Sequence, residues 1–156
     1  MAGKAPVTPE NGVEVLLVSP AEADHIWLRH ILDHSRWKLY RALNCREALA
    51  LLRQRSIGVV ITAARLPDGD WRSLLEAVMR LHGSPSLIVA SRLADERLWA
   101  EVLNLGGYDL LLTPFEPGEV FRVGGAAWRS WESRLQSPPA AGHIGSGWWR
   151  SALPAG

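Results

Sequence analysis

The sequence holds one cysteine, Cys45, so no internal disulfide can form; a lone thiol suits a reducing compartment. It has no apolar run near the roughly 20 residues of a membrane helix, which excludes a helical span. Met1 to Asn11 lack the apolar segment of a secretory signal and read as a disordered leader. Neither sign of charge is in excess. With 17 Lys and Arg against 16 Asp and Glu, nothing draws the chain to nucleic acid or acidic lipid. A Gly-rich phosphate loop and a Gly-x-Ser-x-Gly elbow are both missing. The expected location is the cytoplasm, with no membrane or nucleic-acid partner and no cofactor.

What is present describes one globular domain. At 156 residues, 47% apolar and 21% charged, the chain can bury a core without staples. Val13 to Val18 predicts a first strand, ended by Ser19-Pro20 because proline restricts its predecessor and donates no hydrogen bond. Leu28, Ile31 and Leu32 set a helical period over 21–33. Trp37 to Ala42 reads as a second strand. Asn44 with Glu47 three residues on forms a capping-box start for a helix to Gln54, with Ala48, Leu51 and Leu52 inward. Val59-Val60-Ile61-Thr62-Ala63 carries no charge and reads as a strand covered on both faces.

A polar turn follows, Leu66-Pro67-Asp68-Gly69-Asp70, with Asp68 as turn former and Asp70 as cap of a helix carrying Leu74, Leu75, Val78 and Leu81. Leu87 to Ala90 is strand four. Residues 94–105 form helix four, with Leu98, Val102 and Leu105 on one face and Gly106 ending it. Asp109 to Leu112 is strand five, closed by Thr113-Pro114-Phe115. Pro117 opens helix five, with Phe121, Trp128 and Leu135 seven apart and Val120, Ala127 and Trp131 beside them. Gly124 and Gly125 each weaken that helix by about 1 kcal/mol relative to Ala. Short connections between five strands and five helices predict an α/β fold: a five-stranded parallel sheet, doubly wound. Residues 12–137 form the domain, and 138–156 an irregular tail with Trp148-Trp149.

The element order, the Leu66-Pro67-Asp68-Gly69 turn and the Thr113-Pro114-Phe115 corner resemble the response-regulator receiver family, which is CheY-like and flavodoxin-like in fold. The resemblance covers about Val13 to Leu135. It implies phosphorylation on an aspartate after strand three, aided by magnesium held by an acidic pair after strand one. The matching positions here are Ser19, Pro20 and, four residues back from Pro67, Ala63. A methyl group cannot attack phosphorus. The family's lysine is Thr113, its hydroxyl is kept as Ser91, and its aromatic switch is Leu110. The expectation is a degenerate pseudo-receiver, not an enzyme, with no metal, that acts through protein–protein contact.

Two rivals stand beside that reading. One is a true phosphorelay receiver with Asp68 or Asp70 as acceptor. The other is a small-ligand module with its pocket around Ala63, Ser91 and Thr113. Glu22 and Asp24 lie near the lost acidic pair, where charge favourable to a helix N-terminus explains them. His30 and His34 have a spacing that can hold zinc, but no third ligand is identifiable. Cys45 at a helix start suggests a lowered pKa, yet no base is placed near it, and it reads as inert. The expected partner is a signalling protein, such as a histidine kinase or another receiver, or a second copy through helix four, strand five and helix five. Trp99, Leu110, Trp131, Trp148 and Trp149 are the candidate contact residues, each against the simpler alternative of burial.

Overall fold

The computed structural model describes residues 12–93 and 95–136; the expected leader and the tail with Trp148 and Trp149 lie outside the described residues. The elements run β1 (Glu14–Val18), α1 (Glu22–Leu32), β2 (Lys38–Ala42), α2 (Cys45–Gln54), β3 (Val59–Ala63), α3 (Trp71–Met79), β4 (Ser86–Ser91), α4 (Glu96–Leu105), β5 (Asp109–Leu112) and α5 (Pro117–Gln136). All five strands are parallel, in the order β2-β1-β3-β4-β5. This is the five-stranded, doubly wound CheY-like receiver fold. Between β3 and α3 the turn forms a small antiparallel ribbon, Arg65–Leu66 against Gly69–Asp70.

Side chains alternate across a strand, and the core divides accordingly. Val15, Leu17, Val59, Ile61 and Ile88 face one layer with α1 and α5. Leu16, Val18, Val60, Leu87 and Val89 face the other, with α2, α3 and α4. Removing each of these side chains from water contributes roughly 1.5–3 kcal/mol. Local signals start the helices as expected. The Asn44 side chain accepts from Glu47 N–H at 2.8 Å while the Glu47 carboxylate accepts from Leu43 N–H. Asp70 and Ser73 form a reciprocal capping box on α3. Gly106 ends α4 at φ 109°, a conformation costly for a side chain with a Cβ.

The expected stripes are corrected at their ends. Leu105 and Leu135 are 45% and 49% exposed, because each helix outruns the layer it covers. Leu81 lies beyond the end of α3. Gly124 does more than weaken α5. A Cβ there would sit 2.9 Å from Cζ3 of the buried Trp37, so the glycine admits that ring. Of the six described tryptophans, Trp37, Trp71, Trp128 and Trp131 are core, and Trp27 and Trp99 stay about half exposed.

Candidate functional site

In doubly wound sheets, sites form at the carboxyl ends of the strands where the order reverses. That point lies between β1 and β3. Val18 pairs with Thr62, so Ser19 and Ala63 follow side by side, and Ala63 pairs with Ala90, just before Ser91. Thr113 N–H donates to the Ser91 carbonyl at 2.9 Å. The fold thus gathers the ends that carry Ser19, Ala63, Ser91 and Thr113, four of the positions singled out from sequence. Pro20 sits exposed on the loop beside them.

The serines and acidic residues gathered there are spent on the scaffold. Ser19, 1% exposed, donates its hydroxyl to Asp24 Oδ2 at 2.7 Å and accepts from Ala21 N–H. Glu22 pairs with Arg41 at 2.8 Å. The Ser91 hydroxyl accepts from Leu93 N–H at 3.1 Å. Magnesium takes an octahedron of hard oxygens, usually with one or two carboxylates. Here Ser19, Pro20 and Ala63 supply no carboxylate, and Asp24 is already held by Ser19. The donor set does not fit the ion, and no metal-holding group of His, Cys, Asp and Glu occurs among the described residues.

Asp68 differs from expectation. Beyond forming the turn, its carboxylate accepts from Cys45 N–H at 2.9 Å and Arg46 N–H at 3.1 Å, capping α2 from across the fold. Those bonds, the Cys45 one foremost, hold its pKa below 3.8. Asp70 is lowered too, chiefly by the Ser73 N–H bond, with Arg72 adding to it. The expected lowering at Cys45 is reversed: burial first, then Asp68, pushes the thiol above 9.0. Sequence reasoning had no signal for the Asp68 cap, since the two elements are far apart in the chain.

Histidines are also corrected. His34 falls beyond the end of α1, so it shares no helix face with His30. His25 is 3% exposed, with Nε2 2.8 Å from the Ser19 carbonyl. Its spacing to Leu28 and Leu32 marks the apolar face and would have placed it there. The open pocket beside it, about 250 Å³, lies between α1 and β2, and Ala63, Ser91 and Thr113 do not line it.

On the far side, Trp99 is 47% exposed and donates its indole N–H to Asp109 at 3.1 Å. Leu103, one turn on, and Leu112 are also exposed. Leu110 is half-buried against the second core layer. Trp131 is corrected: 8% exposed, it packs against Trp128 and donates to the Gly83 carbonyl at 3.0 Å, so it belongs to the core with only an edge left open. Leu112 was missed, although two-residue alternation from Leu110 points to it.

No family model matches the chain. The chemotaxis protein CheY of Thermotoga maritima is 23% identical over 110 residues, 70% of this chain and 92% of that protein. The signal receiver domain of an HD domain-containing protein from Pseudomonas fluorescens Pf-5 superposes with a TM-score of 0.75. It is 28% identical and matches 87% of this chain and 99% of that one. A CheY-like response regulator receiver domain protein from Methanospirillum hungatei JF-1 has a TM-score of 0.69 at 20% identity, over 78% and 98%. Over most of its length the chain is thus similar to CheY-like response-regulator receivers, and it shares their five-stranded fold.

Proposed function

We propose that this receiver domain of two-component signalling type takes no phosphoryl group and passes its signal by protein–protein contact. One observation carries the reading: Ala63 stands at the carboxyl end of β3, beside Ser19, where the acceptor carboxylate is expected. Nucleophilic attack needs an oxygen at that point, and magnesium needs carboxylates around it. Neither need is met by Ser19, Pro20, Ala63 or Thr113.

The rival acceptors gain no support from their surroundings. Asp68 has both oxygens on the N–H groups that open α2, and Asp70 has its own on Ser73 and Arg72. Phosphorylation of either would cost the cap it provides. Contact is supported by the exposed Trp99, Leu103 and Leu112 on α4 and β5, a surface suited to a kinase, another receiver or a second copy.

Incubating the full chain with acetyl phosphate and magnesium, followed by intact mass, tests the reading. The expected result is no gain of a phosphoryl group, in the native chain and in Ala63→Asp alike, because the single change restores neither the acidic pair nor the lysine. A phosphoryl adduct on an aspartate of the native chain overturns the proposal.

A further inference from the structure

At the opposite edge of the sheet, where β1 and β3 begin, α5 ends beside an open pocket of about 340 Å³. Trp128, Trp131, Leu135, Glu14, Glu132 and Ser56 line it. Two features define what fits. First, the apolar stripe of α5 runs past the core: Trp128 is buried, whereas Leu135, seven residues on, is 49% exposed. Second, Glu14 and Glu132 have no ion-pair partner among the described residues. The complement is an aromatic wedge with a cation beside it.

The chain carries such a segment close by. Gln136 also lines the pocket, and the eleven residues Ser137 to Gly147 separate it from Trp148-Trp149-Arg150. That connection spans up to about 38 Å when extended, ample for a return to the pocket where it starts. A short tether supplies an effective concentration on the order of millimolar, so modest contacts suffice. We propose that Trp148-Trp149-Arg150 of the same chain occupies this pocket. An indole covers Leu135 and the edges of Trp128 and Trp131, and the Arg150 guanidinium meets Glu14 or Glu132. The pocket lies at the amino ends of the strands, away from Ala63, so the assignment does not depend on the reading of that site.

Amide NMR of the full chain tests it. Changing Trp148 and Trp149 together to Ala is expected to shift the Glu14, Ser56 and Glu132 amides and leave those of Ser19, Ala63 and Ser91 in place. Glu14→Gln with Glu132→Gln is expected to shift the Trp148 and Trp149 indole resonances, and it keeps the question open to measurement should the double Trp variant lose its fold. Both sets of shifts should be independent of dilution. Pocket amides that ignore the tryptophan changes overturn the proposal, as do shifts that fade on dilution, the mark of a tail supplied by a second copy.

Discussion

The Asp68 carboxylate sits 2.9 Å from the backbone N–H of Cys45, and the same residue raises the Cys45 thiol pKa. One side chain therefore caps α2 and quiets the thiol that begins it. Thiolate is the reacting form, so a pKa raised by burial and by Asp68 leaves little of it at neutral pH. Iodoacetamide should alkylate Cys45 more slowly than a free thiol, and Asp68→Ala should speed the reaction. Equal rates by mass spectrometry in the two proteins would remove Asp68 from the account.

Acid stability follows from the same bonds. The folded pKa values of Asp68 and Asp70 lie below the ordinary 3.8. A depressed folded pKa gives stability that is present above the unfolded value and is lost as pH falls through the folded one. Asp68→Ala should cost about 1 kcal/mol at neutral pH, the usual worth of a capping side chain. In urea unfolding, the gap between the two proteins should close as pH drops below 3.8 toward the folded value. A gap that stays constant into acid would contradict the assignment.

Gly124→Ala sets two effects against each other. Alanine favours the helix by about 1 kcal/mol. Its methyl group, however, would press on Trp37, which is buried and packed edge-on against Phe121 at 5.0 Å between ring centroids. Overpacking of that kind costs about 1–3 kcal/mol, so the clash wins. The expected result is a lower Tm, by about 3 °C per kcal/mol of net loss for a chain this size. A rise in Tm would mean that the ring yields freely.

Local chemistry made most of this fold legible. Apolar runs rich in β-branched residues gave β1, β3 and β4, and Asn44, Asp70 and Gly106 marked helix ends whose caps lie within a few residues. The position of Ala63 followed from counting back from Pro67. What escaped were pairings between distant segments: Asp68 on α2 and Gly124 under Trp37. Trp131 shows the same limit from the other side. Its spacing allowed burial or exposure, and the partner that decided it, the Gly83 carbonyl, lies 48 residues away.

Trp99 and Leu103 lie four residues apart on α4 and so share a face, and the Trp99 indole reaches Asp109 at the start of β5. Large exposed aromatics at the centre of an interface carry much of its energy. If copies of this chain associate through that face, Trp99→Ala should weaken self-association at least about tenfold, near 1.4 kcal/mol. Thermal stability should change little, about 0.5 kcal/mol, since the side chain is half in solvent. Trp27→Ala is the matched control. That indole is 51% exposed on α1 and donates to the Phe115 carbonyl at 2.7 Å, on the other side of the sheet. Sedimentation velocity over a concentration series should separate the two variants, Trp99→Ala staying monomeric where Trp27→Ala and the native chain associate. Identical association in both would take the α4–β5 face out of the interface.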